Sequence, residues 1–289
     1  MTLVKELMPV VPVSFSCRYF GIPRSTFYYW KKDKKLISLE TKKVIQYAIK
    51  RSFRGSKGTY GAPRIHKDLL EQGLNVSENT VAKYMQELGL DARLKKKFKV
   101  QTTDSNHDDP IAERLFKADE QEHLPERPGE VIAGDITYLR LGNTFIYLAV
   151  VLDLFNREVI GWSISDGLST KVVTDALSMA MSKVGPDAEV IFHSDRGSQY
   201  ASEAFRKLLK SHRALPSMSR KGNCYDNAYV ESWFGSFKKE WLYRSSYSTE
   251  KELRQIVFEY IEVWYNRKRK HSALDYKSPA EYKLTYQTA

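Results

Sequence analysis

Cysteine and long apolar runs are what this sequence has least of. Its 289 residues include two cysteines, Cys17 and Cys224, which lack the paired C-x-x-C spacing of a zinc site and fit a reducing cytoplasm. We expect Cys224 to be a small packing residue. No run of eighteen apolar residues and no signal peptide is present, so we expect a soluble, cytoplasmic protein that neither spans a membrane nor is exported.

Positive charge is plentiful and is concentrated in the first hundred residues. Residues 1–100 contain 21 Lys and Arg against 8 Asp and Glu, a net charge of +13, whereas residues 101–289 have a net charge of −2. Basic side chains neutralise phosphates and release counterions, so this segment favours sequence-independent binding to nucleic acid. Solubility alone would also account for the charge.

Two helix-turn-helix patterns lie in this basic part. In the first, residues 15–20 and 23–30 are predicted to form helices around a turn at Gly21, with Pro23 at the start of the second helix. The second helix of such a pair lies in the major groove of DNA. The residues of this module that we expect to contact DNA are Arg24, Ser25 and Thr26.

The second pattern has a helix over residues 59–70, ended at Gly73, and a helix over residues 78–88 that Ser77 caps. A three-helix bundle that merely packs has the same apolar periodicity, so these helices alone leave the role of the module open. If it reads DNA, the residues expected to make contact are Arg64, Asn79 and Lys83.

A basic tail and an acidic stretch follow this module. The tail, residues 95–99, is either a clamp on the DNA backbone or a solvated run; its expected DNA contacts are Lys95, Lys96 and Lys97. From residue 104 to residue 130 the charge reverses, with nine acids against three basic residues and with several prolines. We interpret this stretch as an interdomain linker with one short helix near residues 111–118.

Strands and helices alternate from residue 131 onward. The predicted elements, in chain order, are strands around Asp135, at 144–154 and at 158–165, a helix at 170–184, a strand that ends before Asp195, and helices at 202–212 and around Glu231. Three strands followed by alternating helix and strand match an α/β fold of the ribonuclease H-like type.

Three carboxylates of this α/β region have the spacing of a metal-dependent D-D-35-E site. Thirty-five residues separate Asp195 from Glu231, and Asp135 lies sixty positions before Asp195. Asp195 follows an apolar strand, and open α/β sheets hold ligands at the carboxyl ends of their strands. Carboxylates brought together require a compensating cation, so we predict that these three residues hold two Mg²⁺ or Mn²⁺ ions for phosphoryl transfer on nucleic acid.

Glu231 lies on the polar side of an amphipathic helix. The apolar stripe of this helix consists of Val230, Trp233, Phe234, Phe237 and Trp241. Asn227, Glu231 and Lys238 share another face, whereas Lys239 is turned about 100° away from Lys238. We therefore predict that Asn227 and Lys238 contact DNA beside the metal ligands.

Four ordered motifs resemble a known family. They comprise residues 134–138, residues 193–200, residues 226–240 around Glu231, and residues 265–279, which begin with Tyr265-Asn266 and include Arg269 and His271. Over nearly its whole length the chain resembles OrfB-type transposases of the IS-three insertion-sequence family, relatives of retroviral integrases. One departure is that the family usually has an aromatic residue shortly before its first Asp, where this chain has Ile132 and Ala133.

The resemblance implies DNA partners, namely terminal inverted repeats and target DNA, and a homo-oligomer, at least a dimer, assembled on DNA. It also implies either an OrfA-type partner or a frameshift fusion to one. The implied organisation has a helix-turn-helix at residues 1–35, a second helical DNA-binding module at 36–100, an acidic linker at 101–124, and a ribonuclease H-like integrase catalytic domain with a C-terminal helical extension at 125–289. In this organisation, all-α helix-turn-helix modules precede the α/β catalytic core.

Several polar residues near the motifs have two interpretations. Asp153 is either a contact of the site or an acid in a strand-end turn, and His193 either acts as a base or is a hydrogen-bonded core histidine. Arg196 and Gln199 are candidate DNA contacts.

Arg269 and His271 match the last motif of the family. They have either an active-site or DNA-contact role or form a surface charge cluster.

Three functions remain open on the sequence alone. An active transposase is the first; a structure-selective nuclease of the same fold and a catalytically idle DNA-binding regulator are the alternatives.

Overall fold

The chain divides into two units, Met1–Arg93 and Leu94–Ala289. The computed structural model describes residues 13–19, 21–31, 34–92, 110–117, 124–185, 189–220 and 227–287. Lys95, Lys96, Lys97 and Cys224 lie outside the described residues. Across the described ranges, no helix has the length and apolar character needed to cross a membrane.

The first two helices are α1, Val13–Tyr19, and α2, Arg24–Lys31. Between them Gly21 adopts a φ of +63°, a left-handed conformation that glycine reaches without steric cost. The turn is closed by the Ile22 amide, which donates to the Cys17 carbonyl at 2.9 Å, and the Cys17 side chain is buried against Val13 and Ile22. The predicted pair of helices is confirmed within two residues at each end.

Three more helices complete the described part of the amino-terminal unit: α3, Lys34–Gly55; α4, Ala62–Glu71; and α5, Glu78–Glu87. The helix start predicted at Ser77 is confirmed, since its hydroxyl accepts a hydrogen bond from the Thr80 amide at 3.2 Å. Apolar side chains of the three helices are buried together, among them Ile49, Ile65, Leu69, Val81 and Met85.

The second unit contains a five-stranded sheet. Its strands are β1, Val131–Leu141; β2, Thr144–Asp153; β3, Val159–Ser165; β4, Ile191–Ser194; and β5, Leu215–Met218. Their order is β3-β2-β1-β4-β5; β2 is antiparallel to both β3 and β1, whereas β4 is parallel to both β1 and β5. The three-strand meander and the strand before Asp195 confirm the predicted ribonuclease H-like α/β fold.

Helix α6, Thr170–Val184, packs on β2 and β3 and has the predicted bounds. The approach is close at Gly161 of β3, where an added Cβ atom would lie 2.1 Å from the backbone oxygen of Ala176. Two further helices, α7, Ser198–Ala201, and α8, Glu203–Ser211, follow β4. Together with α6 they cover one face of the sheet and bury Val173, Phe205 and other apolar residues.

The short helix predicted near residues 111–118 is wrong. The described part of this segment, residues 110–117, has no helical structure. The backbone amides of Leu115 and Phe116 each donate to the Ser217 hydroxyl of β5 at 3.0 Å, and the Phe116 ring is buried edge-on against His193. Two backbone amides of this segment therefore bond to the sheet and not to carbonyl groups of a local helix.

The carboxyl-terminal part is helical. It comprises α9, Ala228–Glu240; a short 3₁₀ turn, Leu242–Arg244; α10, Glu250–Phe258; a π-helix, Glu259–Tyr265; a second 3₁₀ turn, Ser272–Leu274; and α11, Pro279–Gln287. The Asn266 side chain joins this part to the sheet edge, since its amide accepts from the Val159 nitrogen and donates to the Val159 oxygen, both at 2.9 Å. Asn266 thus pairs with β3 as a neighbouring strand would.

Candidate active site

The parallel pairing of β1 with β4 brings the first two acids together. Ala133 is the register partner of His193, so Asp135, two residues later, and Asp195, directly after β4, lie at the same end of this strand pair and line one cleft. The pairing covers Val131–Ala133, and β4 ends at Ser194. The edge of β1 therefore opens at Asp135, where a cleft forms.

Asp135 is partly buried and interacts with both other predicted ligands. Its Oδ1 accepts a hydrogen bond from the Ile136 amide at 2.8 Å. Burial raises the pKa of Asp135 well above its usual value, and the charges of Asp195 and Glu231 raise it further, against the opposing effects of the Ile136 amide and Lys238. Asp135 and Asp195 therefore line one cleft, and Glu231 and Lys238 lie within electrostatic range of Asp135.

Glycines beside the two aspartates allow close packing. A Cβ atom added at Gly134 would lie 2.6 Å from Cζ of Phe192, so a larger residue next to Asp135 would displace that ring. The Gly197 amide donates to Oδ1 of Asp195 at 2.9 Å, and an added Cβ there would lie 3.0 Å from the same oxygen. These contacts hold the Asp195 carboxylate in place.

Helix α9 carries Glu231 in its first turn, off the buried stripe, as predicted. All five apolar residues of that stripe are buried. Lys238, two turns later, donates from Nζ to the Thr137 hydroxyl of β1 at 2.7 Å and lies 4.9 Å from the centroid of the Tyr138 ring. Lys239 is exposed. The predicted helical phase is therefore confirmed, and Lys238 faces the cleft.

The donor set fits a hard divalent cation in its chemistry. Within the described ranges, no three Asp, Glu, His or Cys side chains already stand close enough together to hold a metal ion. The three acids around Asp135 offer carboxylate oxygens alone, which are the ligands that Mg²⁺ and Mn²⁺ prefer. The repulsion that raises the pKa of Asp135 is relieved when a cation binds between such groups.

Tyr200 is a residue of the cleft that sequence reasoning missed. Burial raises the pKa of its hydroxyl well above the usual value, and the charges of Asp135 and Asp195 raise it further. Its ring packs against Phe192 and Phe205. Its place in the 193–200 motif was the available signal, but a tyrosine after an amphipathic turn is ordinarily a core residue.

The expectation for Arg269 is wrong on both interpretations. The side chain is neither on the surface nor open to DNA, because Arg269 is 5% exposed and forms two hydrogen bonds to Glu240, at 2.6 and 2.7 Å. Burial opposes the charge, but the bonds to Glu240 raise the pKa of Arg269 above its usual value. His271 belongs to the same network, since its Nε2 lies 3.1 Å from Nη1 of Arg269 and its ring packs on Tyr265.

Asn227 is corrected as well. It is 6% exposed and precedes α9, where its backbone oxygen accepts from the Glu231 amide at 3.2 Å. The predicted DNA contact is therefore not supported. Arg196 is half-buried and donates from Nε to the Ser219 oxygen at 2.7 Å, and Gln199 lines the cleft.

His193 is a hydrogen-bonded core histidine, and Asp153 is an acid in a strand-end turn. The Ser217 hydroxyl accepts from two backbone amides and lies 2.9 Å from Nδ1 of His193, whose ring is fully buried. Asp153 closes the strand-end turn by accepting from the amides of Gly129 at 2.8 Å and Phe155 at 2.9 Å.

The candidate DNA contacts of the amino-terminal unit lie mainly at its surface. Arg24, Ser25, Asn79 and Lys83 are exposed, and Thr26 and Arg64 are half-buried. The guanidinium of Arg64 lies 5.5 Å from the centroid of the Tyr60 ring. Asn79 and Lys83 stand one turn apart on α5, away from its buried residues Val81 and Met85.

Comparison with known proteins agrees with this architecture. The family description "Integrase core domain" matches residues 125–224, a second description of the same name matches residues 212–279, and "HTH-like domain" matches residues 40–98. A solved simian T-cell lymphotropic virus intasome covers 82% of this chain and 73% of its own, with 16% identity and a TM-score of 0.47. A helical module followed by an integrase core defines a polynucleotidyl transferase.

Two curated relatives extend over nearly the whole chain. Transposase InsF of insertion sequence IS3A from Escherichia coli is 39% identical over 92% of this chain and 92% of its own length. An uncharacterized 31 kDa protein of insertion element IS600 from Shigella sonnei is 35% identical over 93% of this chain and 98% of its own. The chain belongs to the transposases of the IS3 family.

Proposed function

We propose that this transposase cuts DNA at the ends of an insertion element and joins the freed strands, with Asp135, Asp195 and Glu231 as its metal ligands. The proposal depends on one observation above all. Asp135 and Asp195 line the same cleft, and the helix that carries Glu231 contacts β1 two residues from Asp135, through Lys238 and the Thr137 hydroxyl at 2.7 Å. The charges of Asp195 and Glu231 also raise the pKa of Asp135. Such a group suits hard divalent cations.

Two Mg²⁺ or Mn²⁺ ions per site are the cofactors that we propose. When bound, they would polarise the scissile phosphate and lower the pKa of the attacking water. Asp135 and Asp195 would hold them from the sheet and Glu231 from α9. The Asp195 carboxylate is already oriented by the Gly197 amide at 2.9 Å, which reduces the reorganisation that binding requires.

The reaction needs no nucleophile from the protein. Water attacks the phosphorus at the element's end, the P–O3′ bond breaks, and a 3′-hydroxyl is released. That hydroxyl then attacks a second phosphodiester, forming a new P–O bond and releasing another 3′-hydroxyl. Lys238, which faces the cleft beside Asp135, is placed to bind a phosphate flanking the cut.

The other parts of the proposal concern DNA binding and assembly. Residues 1–35 and 36–100 would bind terminal inverted repeats, residues 101–124 would link them to the catalytic part, and residues 125–289 would also engage target DNA. The net charge of +13 on residues 1–100 supports the first assignment. We further propose a homo-oligomer on DNA, at least a dimer, working in the cytoplasm with an OrfA-type partner or as a fusion to one.

Neutral substitutions of the three acids test the chemistry. Asp135→Asn, Asp195→Asn and Glu231→Gln should each abolish Mg²⁺-dependent cleavage and joining of labelled end DNA, while binding of that DNA stays within a few-fold. Asp175→Asn is the matched control, because Asp175 is an acid of α6 that pairs with Lys171 at 2.6 Å on the surface. Strand joining retained by any triad variant would refute the assignment, and cleavage without joining by the wild type would indicate a nuclease.

A further inference from the structure

An aromatic surface lies next to the cleft and is not used by the core. We call Tyr138, Phe145, Tyr147 and Tyr243 the aromatic ledge. Tyr138 and Tyr147 are directly opposite each other on β1 and β2, and the Phe145 ring meets the Tyr138 ring edge-on at 5.3 Å. Phe145 is 48% exposed and Tyr243 is 43% exposed. Large aromatic side chains grouped at a surface usually mark a binding site.

The ledge is continuous with the catalytic cleft. Tyr138 and Tyr147 line the same cavity as Asp135 and Asp195. Tyr243 stands just after α9, and besides burial the neighbouring Tyr138 phenol raises its pKa. A ligand held in the cleft therefore reaches the ledge without leaving the surface of the protein.

Cations stand among the rings of the ledge. The Lys238 ammonium lies 4.9 Å from the Tyr138 ring centroid, and exposed Arg244 follows Tyr243 directly in the chain. Exposed Arg140 lies two residues beyond Tyr138 on β1. Rings for stacking combined with cations for phosphates are the features by which proteins bind single-stranded nucleic acid.

We propose that the aromatic ledge binds unpaired DNA bases next to the phosphodiester in the cleft. The proposal rests on the proposed function, since it takes the DNA strand in the cleft as given. Bases within a duplex already stack on each other, so exposed rings add affinity chiefly for bases that have left the duplex. Phe145 and Tyr243 offer the exposed ring faces, and Lys238 holds the adjoining backbone.

Binding of two matched DNA molecules by the full chain tests the ledge. One is a blunt duplex and the other is the same duplex with four unpaired bases at one end, including 2-aminopurine, whose fluorescence falls on stacking. We expect the wild type to bind the overhang form more tightly and to quench the probe. Phe145→Leu and Tyr243→Leu, which keep apolar volume but lose the ring, should weaken overhang binding about 5- to 100-fold.

The controls separate stacking from charge and from folding. Tyr243→Phe keeps the ring and should bind as the wild type does. Phe258→Leu removes an aromatic residue of α10 that is 49% exposed and should leave both DNA affinities unchanged. Lys238→Ala should weaken binding to both DNA forms, because it removes a phosphate contact.

Three results would overturn the proposal. The first is an equal affinity of the wild type for the two DNA forms. The second is unchanged overhang binding by both leucine variants. The third is a change of sedimentation mass in those variants without a change in DNA binding, which would show that the ledge is a protein interface. The proposed function fails separately, if the wild type neither cleaves nor joins end DNA with Mg²⁺.

Discussion

Lys238 lies on α9 two turns after Glu231 and contacts the edge of the cleft. Its ammonium contacts the Thr137 hydroxyl at 2.7 Å, and its charge opposes the rise in the pKa of Asp135. The neighbouring Lys239 is exposed. Two lysines adjacent in sequence therefore have different surroundings because one residue of an α-helix turns the side chain by about 100°.

Lys238→Ala should reduce strand joining by about 10- to 100-fold, the range for losing a charge-assisted hydrogen bond of about 1.5–3 kcal/mol. Lys239→Ala should remain within about twofold of the wild type, because that side chain is turned away from the cleft. Joining assays with both variants, together with thermal unfolding to detect structural damage, measure the difference. A larger defect at Lys239 would contradict the assignment of Lys238 to the DNA backbone.

Asp153 should make stability depend on pH. Burial raises its pKa from 3.8 to about 6, although the amides of Phe155 and Gly129 oppose the shift. The folded state therefore binds this proton more tightly than the unfolded state, and the contribution of Asp153 to stability rises as pH falls from about 6 to about 4.

The gain in the free energy of unfolding should approach about 3 kcal/mol, because the pKa of Asp153 differs by about two units between the folded and unfolded states. Urea unfolding of the wild type and Asp153→Asn at pH 7 and pH 4 checks it: the difference in free energy of unfolding should move in favour of the wild type at the lower pH. A pH-independent difference would show that Asp153 does not titrate in this range.

At the scale of elements, α9 joins the candidate active-site cleft to the carboxyl-terminal helices. Its first turn holds Glu231, and its last residue, Glu240, forms the buried pair with Arg269. Between these ends Trp233 and Phe237 pack on Tyr260 of the π-helix. The last sequence motif therefore acts on the site indirectly, by fixing the helix that carries Glu231.

Arg269→Ala should destabilise the protein by about 3–5 kcal/mol, because it leaves the Glu240 charge buried without its partner. Replacing both residues, with Glu240→Leu and Arg269→Met, should recover most of that loss, since two apolar side chains of similar size need no counter-ion. Urea unfolding followed by tryptophan fluorescence measures all three proteins. If the double variant is no more stable than Arg269→Ala, the buried pair is not the cause.

The elements that the sequence predicts best are those in which apolar residues recur at a regular spacing. The stripe of α9, the bounds of α6 and the β1–β2 hairpin follow from apolar spacing and turn residues. Strand β5, Leu215–Met218, was not predicted, because Pro216 and Ser217 interrupt the apolar run that marks the equally short β4.

The wrong helix near residues 111–118 and the misplaced Arg269 have the same cause. In each, a contact with a residue far away in sequence decides the outcome: Ser217 for the segment and Glu240 for the arginine. The three proposed metal ligands could be selected from the sequence because a local motif surrounds each of them, whereas the burial of Tyr200 beside Asp135 and Asp195 depends on strand register and side-chain packing that spacing does not reveal.

At the scale of the whole molecule, charge is divided between the parts. Residues 1–100 carry +13 and residues 101–289 carry −2. We therefore expect two basic surfaces to contact DNA: the amino-terminal helices, where Arg24 and Lys83 are exposed, and the cations around the cleft. Affinity for DNA should come mainly from the first.

Two fragments, residues 1–100 and residues 101–289, test this division. The second begins before residues 110–117, because Phe116 is buried against the sheet. The basic fragment should bind end DNA with a steep salt dependence, in which each phosphate contact adds about 0.9 to the slope of log K against log salt, and the second fragment should bind weakly. Equal affinities and slopes in a salt titration would contradict the division.

The opening of β1 at Asp135 has a consequence for solubility. Beyond Ala133 the strand is no longer paired with β4, and an unpaired strand edge is a template for joining the edge of another molecule. A charged side chain, lysine in particular, discourages such joining, and Lys238, which donates to the Thr137 hydroxyl of β1 at 2.7 Å, supplies one at this point. The lysine that we propose as a DNA contact therefore also protects the strand edge beside it from pairing with another molecule.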